Sequence, residues 1–154
     1  MILATLGYIR RNGQTLMLHR VKKENDVHEG KWNGLGGKIK KGETPEECII
    51  REIREESGLI VKESTLKGIL TFPDFDGQND WCVFLFVIND FDGQLTDSNE
   101  GNLRWIDNDK IDNLNLWEGD RIFIPWLNEP GFYSGKFVYQ NKKLIDYYYK
   151  SYHQ

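Results

Sequence analysis

Residues Gly37–Leu59 have the sequence GKIKKGETPEECIIREIREESGL, and this stretch decides the fold. Thr44 is a good helix N-cap, Pro45 suits the first helical position, and Gly58 supplies a C-terminal stop. The capping residues predict a helix over about Pro45–Ser57, entered from a loop that contains glycine.

Three carboxylates of this helix, Glu52, Glu55 and Glu56, fall at positions i, i+3 and i+4 and therefore share one face. They lie in its second half, where the helix dipole disfavours negative charge, and like charges at this spacing repel by roughly 0.2–0.5 kcal/mol per pair. Arg51 and Arg54 relieve part of that repulsion. Carboxylate oxygens are hard ligands suited to Mg²⁺ or Mn²⁺. The spacing alone also fits a plain solvated acidic face.

The whole pattern resembles the Nudix box: Gly37, five residues, Glu43, seven residues, and then the run Arg51–Leu59. The resemblance implies an α/β (α+β) domain with the Nudix fold, which is an α/β/α sandwich around a mixed β-sheet. It also implies a divalent-metal-dependent hydrolase of a nucleoside diphosphate linked to a further group.

The resemblance assigns metal binding to Gly36, through its carbonyl oxygen, and to Glu52, Glu55, Glu56 and Glu100. A bound Mg²⁺, or Mn²⁺ in its place, would polarise phosphoryl oxygens and lower the pKa of an attacking water. Arg51 is expected to orient the catalytic glutamates, and Glu43 to anchor the junction of loop and helix. The general base stays open between the glutamates of the box and Glu100, which as a residue also fits a plain acidic loop.

The flanking segments Gly30–Lys38 (GKWNGLGGK) and Trp117–Asp120 (WEGD) resemble the MutT-type oxidised-purine nucleoside triphosphatases. The resemblance assigns substrate binding to Arg20, Asn33, Leu35, Gly36, Gly37, Lys38, Trp117 and Asp120. The family pattern has two consecutive acids in the second segment, and here the first of them is replaced by Gly119.

Within that set, Asn33 and Asp120 would hydrogen-bond the purine, Trp117 would lie against it, and Lys38 would face the phosphates. Base–aromatic stacking is worth roughly 1–3 kcal/mol. Core burial is the alternative for Trp117, and an ordinary surface cation is the alternative for Arg20. Phe72 fits the opposite wall of a base site and core packing equally well.

The rest of the chain predicts further strands at Ile2–Ile9, Thr15–His19, Leu59–Val61, Leu66–Phe75, Trp81–Ile88 and Leu103–Ile106, a helix at Leu116–Leu127 and a hairpin within Gly135–Tyr149. Turns are expected at Asn12-Gly13 and around Asp76–Asn79. Trp81, Trp105 and Trp126 lie in apolar runs and are predicted to be core residues.

The amino-acid composition limits the classes of function that the chain can have. The 154 residues fit one domain, residues 1–154, with 24 acidic and 20 basic side chains and a net charge of −4. That balance disfavours long nucleic acids as partners, but it allows a single triphosphate whose charge is met by metal. The longest apolar run, Cys82–Ile88, is far shorter than the ~20 residues of a membrane span. Cys48 and Cys82 are expected to be reduced and buried in a cytoplasmic protein.

These expectations converge on a Mg²⁺-dependent pyrophosphohydrolase of 8-oxo-dGTP or a related oxidised purine nucleotide. Two alternatives remain. One is a Nudix hydrolase of another substrate, such as ADP-ribose, a dinucleoside polyphosphate or a capped RNA 5′ end. The other is a nucleotide-binding module without catalysis, which the complete set of box glutamates disfavours.

Overall fold

The computed structural model describes residues 1–153, in which eight strands and two α-helices are found. The strands are β1 (Ile2–Arg11), β2 (Gln14–His19), β3 (Trp32–Asn33), β4 (Ile60–Phe72), β5 (Trp81–Asp92), β6 (Asn102–Asp107), β7 (Phe132–Gln140) and β8 (Lys143–Tyr152). The helices are α1 (Pro45–Ser57), α2 (Asp120–Phe123) and two 3₁₀ segments, Asn108–Asn113 and Ile124–Asn128.

The strands form one mixed sheet in the order β3-β2-β1-β5-β4-β7-β8, with β6 paired to β2. The pairs β1–β5 and β4–β7 are parallel, and the other pairs are antiparallel. One buried cluster includes Ile49 and Ile53 of α1, and a second includes Phe123 and Trp126 of the short helical segments. The helical segments therefore pack on the sheet through two separate hydrophobic clusters. The predicted α+β class is confirmed.

Helix α1 has the predicted bounds and the predicted caps. The Thr44 hydroxyl accepts a hydrogen bond from the Glu47 amide at 3.0 Å, and the Glu47 carboxylate accepts one from the Thr44 amide at 3.0 Å. Gly58 ends the helix with φ 80° and donates to the Arg54 carbonyl at 2.9 Å. Local hydrogen bonds therefore fix where this helix begins and ends.

The two predicted turns and the predicted C-terminal hairpin are also found. Asn12 and Gly13 both have positive φ, at 53° and 75°, which matches the type I′ geometry that antiparallel strands favour. Asn141 and Lys142 have φ of 53° and 66° between β7 and β8. The β4–β5 pair brackets Asp76–Asn79, as expected.

Several predicted elements differ from the structure. The helix predicted at Leu116–Leu127 is wrong, because the chain is helical only from Asp120 and becomes 3₁₀ around Pro125, which has no amide hydrogen to donate. The strands predicted at Leu59–Val61 and Leu66–Phe75 form the single strand β4, which ends before Pro73.

The predicted core residues differ too. Trp126 is buried, but Trp81 and Trp105 are only half-buried. Both cysteines are free, as expected, yet Cys82 is half-buried rather than buried. Among the described residues, no helix is long and apolar enough to cross a membrane.

Candidate active site

The loop before α1 is pressed against strand β1. Leu35 exchanges two backbone hydrogen bonds with Gly7, at 2.6 and 2.9 Å, and the Thr5 amide donates to the Gly37 carbonyl at 2.9 Å. A Cβ on Gly36 would collide with the carbonyl group of Thr5, lying 2.7 Å from its carbon. Gly36 is therefore glycine because the loop backbone approaches β1 too closely for any side chain.

The structure contradicts the assignment of Leu35 to substrate binding. Its side chain is fully buried and belongs to the same core cluster as Ile49 and Ile53 of α1. The physical reason is the backbone pairing with β1, which turns this apolar side chain into the core beneath the helix. Leu35 therefore anchors the loop and does not line the cavity described below.

Glu56 is the buried carboxylate of the α1 face. It is 7% exposed, and its Oε2 accepts a hydrogen bond from the Gly36 amide at 3.0 Å. Glu100 lies beside it: burial, the hydrogen bond with Glu100 and the charge of Glu100 all hold the pKa of Glu56 well above its ordinary value. Burial alone would raise the pKa of Glu100, but Glu56, Arg20 and Lys23 together lower it. The neighbouring carboxyl groups thus differ: the environment of Glu56 favours its protonated form, and that of Glu100 favours its ionised form.

Arg51 organises the outer carboxylates. Its guanidinium contacts Glu43 at 2.6 Å, Glu52 at 2.8 Å and Glu55 at 3.3 Å. The hydrogen bonds from Arg51 lower the pKa of Glu43 to about 2. The Glu52 carboxylate lies against Gly37, where a Cβ would come within 2.5 Å of its Cδ atom. Arg51 thus holds three carboxylates together, and it is not among the residues that line the cavity described below.

The donor set fits a hard divalent cation. Glu56 and Glu100 are neighbouring carboxyl groups, and their oxygens are of the hard type that would hold Mg²⁺. Glu52 is held on the same helix face, next to Gly37. Within residues 1–153, no three acidic, histidine or cysteine side chains already converge on one point. Arg51 explains this, because it holds Glu52 and Glu55, and the Glu55 side chain is 54% exposed.

A cavity of about 410 Å³, which we call the base cavity, opens beside the glycine loop. This volume lies within the usual range for small-ligand sites. Its lining includes Arg20, Asn33, Gly36, Gly37, Trp117 and Asp120, which are six of the eight residues predicted to bind substrate. Trp81, Phe72, Phe75, His28, Val27, Val83, Phe123 and Tyr139 supply much of the rest.

Asp120 is one of two acids, with Asp76, that line this mostly apolar cavity. It is buried, and burial raises its pKa to about 8, an effect that the charges of Lys31 and Arg121 only partly oppose. Near neutral pH the protonated carboxyl group can donate one hydrogen bond and accept another. Asp120 is therefore suited to the edge of a base that offers both donors and acceptors.

We expect Asp120→Asn to flatten the pH dependence of stability. Between the ordinary carboxyl pKa of 3.8 and about 8, the folded chain keeps a proton that the unfolded chain releases, so rising pH removes stability across this window. Asparagine carries no such proton. The melting temperature of the variant, measured against the parent from pH 5 to 8.5, should therefore rise progressively. A constant difference, as expected for the exposed control Asp109→Asn, would contradict the burial argument.

Trp117 is 5% exposed and also forms one wall of the base cavity. This residue therefore combines burial with a position on the cavity wall. Phe75 and Tyr139 contact it edge-on, with ring centroids 5.3 and 5.2 Å away. Its indole N–H donates to Nδ1 of His28 at 2.9 Å. Phe72 also has both predicted environments, because it lines the cavity while it stacks on Phe137 at 5.8 Å.

The two predicted cationic contacts differ in setting. Arg20 lines the base cavity but is bonded to Asp26 at 2.9 Å and to Glu100 at 3.3 Å. Lys38 is exposed, and its Nζ lies 5.5 Å from the centre of the Trp81 ring. Lys38 therefore stands next to a cavity-lining residue without itself being one.

Further cavity residues, among them His28, Phe75, Trp81 and Tyr139, were not predicted from the sequence as site residues. Gly119 explains the position of Tyr139, because its amide donates to the tyrosine hydroxyl at 2.7 Å and any Cβ there would collide with that oxygen. Gly119 stands where the family pattern has an acidic side chain, so its presence indicated that another group occupies the space of that side chain. Nothing in the sequence connected it to a tyrosine twenty residues later.

The fold and this site define a Nudix hydrolase. The family model described as the NUDIX domain matches residues 2–127, and the chain belongs to this family.

Individual relatives agree with that assignment. The chain is 33% identical over 144 residues to the oxidized purine nucleoside triphosphate hydrolase of Danio rerio, covering 93% of this chain and 90% of the relative. A shorter match, 34% identical, joins 58% of this chain to 51% of an ADP-ribose pyrophosphatase of Methanocaldococcus jannaschii. The crystal structure of a MutT protein from Bacillus halodurans superposes with a TM-score of 0.87 at 28% identity, covering 97% of both chains.

Proposed function

We propose that this Nudix hydrolase is a Mg²⁺-dependent pyrophosphohydrolase that converts 8-oxo-dGTP, or a related oxidised purine nucleoside triphosphate, into the monophosphate and pyrophosphate. One observation carries the proposal. A single cavity brings Asn33, Trp117 and Asp120 together with the glycine loop whose Gly36 amide is bonded to Glu56. A base held at one end would place its phosphates beside the carboxylates at the other.

The base end has the chemistry that an oxidised purine requires. Trp117 offers a flat apolar wall, while Asn33 and Asp120 offer both donors and acceptors. In 8-oxoguanine, N7 becomes a donor and C8 carries an oxygen, so recognition needs an acceptor where guanine needs a donor. An aromatic cavity with a few placed polar groups meets that requirement.

The phosphate end has the chemistry of hydrolysis. Nudix hydrolases generally use divalent metals such as Mg²⁺, and the oxygens of Glu52, Glu56 and Glu100, with the Gly36 carbonyl, are the candidate ligands. When bound, the metal supplies charge that polarises phosphoryl oxygens and acidifies water. A water oxygen bonds to phosphorus, the phosphoanhydride bond breaks, and the water proton passes to a carboxylate. Glu56 and Glu100 are the two candidates for that general base.

Product analysis tests this proposal. With Mg²⁺, 8-oxo-dGTP should yield the monophosphate and pyrophosphate, whereas sequential release of inorganic phosphate would contradict the proposed cleavage. ADP-ribose belongs in the same panel, since one relative carries that activity in its name. Faster turnover of ADP-ribose, of a dinucleoside polyphosphate or of capped RNA would move the chain to another branch of the family. Binding of these nucleotides without turnover would contradict hydrolysis.

The wider setting follows from the same proposal. A purine nucleoside triphosphate is the proposed partner, and a net charge of −4 argues against a long nucleic acid. We propose residues 1–154 as one catalytic domain that works in the cytoplasm, where such substrates would be removed from the nucleotide pool before use in DNA synthesis.

A further inference from the structure

We propose that His28 is a positioning residue that fixes the indole of Trp117 on the wall of the base cavity. The structural part of this inference depends on the contacts of His28 alone. The kinetic part rests on the proposed function, because it concerns purine substrates.

The central contact is the hydrogen bond from the Trp117 indole N–H to Nδ1 of His28, at 2.9 Å. An indole nitrogen can only donate, so Nδ1 must be unprotonated and the ring proton must lie on Nε2. The ring of His28 stands edge-on to Trp117, with an interplanar angle of 84° and centroids 5.7 Å apart. The histidine thus contacts the edge of the indole at its nitrogen, and the same tryptophan lines the cavity. In agreement with this, burial lowers the pKa of His28 to about 4, and the neutral ring persists at physiological pH.

His28 is itself held in place from several sides. Its amide donates to the Asp26 carboxylate at 3.2 Å, and its carbonyl accepts from the Lys31 amide at 2.8 Å. Phe75 stacks on its ring, with centroids 6.1 Å apart and planes 23° from parallel. Asp26 in turn is paired with Arg20 at 2.9 Å. These contacts hold both the backbone and the ring of His28 in place.

The same loop reaches the carboxylates of the phosphate end. Arg20 contacts Glu100 at 3.3 Å, Lys23 contacts Glu100 at 3.3 Å, and the Lys22 ammonium donates to the Ser98 carbonyl at 2.7 Å. One short segment, residues 20–31, therefore touches the base wall at Trp117 and the catalytic side at Glu100. Placing the indole correctly also places the base relative to the reacting phosphates.

The first test observes the hydrogen bond without any substrate. In ¹H–¹⁵N spectra of the full chain, Trp117→Phe assigns the indole N–H resonance of Trp117. His28→Leu should shift that resonance upfield, since its acceptor is gone, and His28→Asn, with its amide oxygen near the position of Nδ1, should restore it in part. The control His153→Leu removes a histidine that packs against Tyr133, and it should leave the Trp117 resonance unshifted. An unchanged resonance in His28→Leu would overturn the proposal.

The second test is kinetic. His28→Leu should raise KM for the best purine triphosphate by roughly 5–10-fold, the factor expected when a buried donor loses its partner, with a smaller change in kcat. In the Trp117→Phe background the same substitution should change KM by less than about twofold, because no indole N–H remains to be held. An equal effect in both backgrounds would contradict the positioning role. Should His28→Leu fail to fold, His28→Phe, which keeps a flat ring but has no ring nitrogen to accept the hydrogen bond, takes its place.

Different results would contradict the proposed hydrolase function and the proposed role of His28. If the parent chain hydrolyses no purine triphosphate, the proposed function is wrong, while the indole resonance still decides whether His28 holds Trp117. If the parent chain is active and the resonance shifts but KM does not, then the hydrogen bond exists without the positioning role.

Discussion

Glu56→Gln is expected to lower kcat by about a thousandfold while the chain stays folded. Glu56 is the buried carboxylate of the α1 face, and it joins the Gly36 amide to Glu100. Glutamine keeps the shape but loses the charge that would bind the metal or accept the proton of water. Metal charge stabilisation is worth several kcal/mol, and about 4 kcal/mol corresponds to a factor of about 10³ in rate.

The stability of this variant separates chemistry from folding. Because burial and Glu100 favour the protonated form of Glu56, a permanently neutral glutamine should leave the melting temperature of the metal-free protein unchanged or raised at pH 8. Glu46→Gln, an exposed acid in the first turn of the same helix, is the matched control and should retain activity. Near-normal turnover of Glu56→Gln would refute the assignment of this carboxylate.

Gly36→Ala is expected to cost both activity and stability. The added methyl group would collide with the Thr5 carbonyl, which is backbone and cannot rotate away. The loop must then separate from β1, and the Gly36 amide leaves Glu56. We expect kcat to fall by at least about a hundredfold. Overpacking of about 3 kcal/mol would lower the melting temperature by roughly 6–12 °C in a chain of this size.

Gly13→Ala provides a comparison for this second prediction. Gly13 has φ 75° in the β1–β2 turn, and a Cβ there would meet nothing within 4 Å. It therefore reports the cost of a strained backbone without a collision, so stability should fall modestly while kcat stays within about threefold. If Gly36→Ala behaved like Gly13→Ala in both assays, the close approach of the loop to β1 would not be essential.

Elements governed by neighbouring residues were the ones that the sequence predicted well. Helix α1 was predicted with its bounds because Thr44, Glu47 and Gly58 fix its ends through bonds of at most four residues' separation. The segment Leu116–Leu127 was misjudged on apolar spacing alone. Pro125 prevents a regular helix there, and packing against the sheet places its apolar residues instead.

The candidate site also contains some residues that the sequence could predict and others that only the fold brings together. Helical spacing predicted that the α1 carboxylates share one face. The resemblance supplied their metal-binding role and also Asn33, Trp117 and Asp120, which the structure brings into one cavity. The contact between His28 and Trp117 joins residues 89 positions apart. No local pattern encodes such a contact, because it depends on how the loop after β2 returns across the sheet.

The measurement that tests the central claim most directly is the ratio of kcat/KM for 8-oxo-dGTP to kcat/KM for dGTP, with Mg²⁺ and with products identified. We predict a ratio of at least about ten, because the base cavity must distinguish a donor from an acceptor at one edge of the purine. The products should be the monophosphate and pyrophosphate. A ratio near one, or turnover confined to a substrate without a purine triphosphate, would contradict the proposed function.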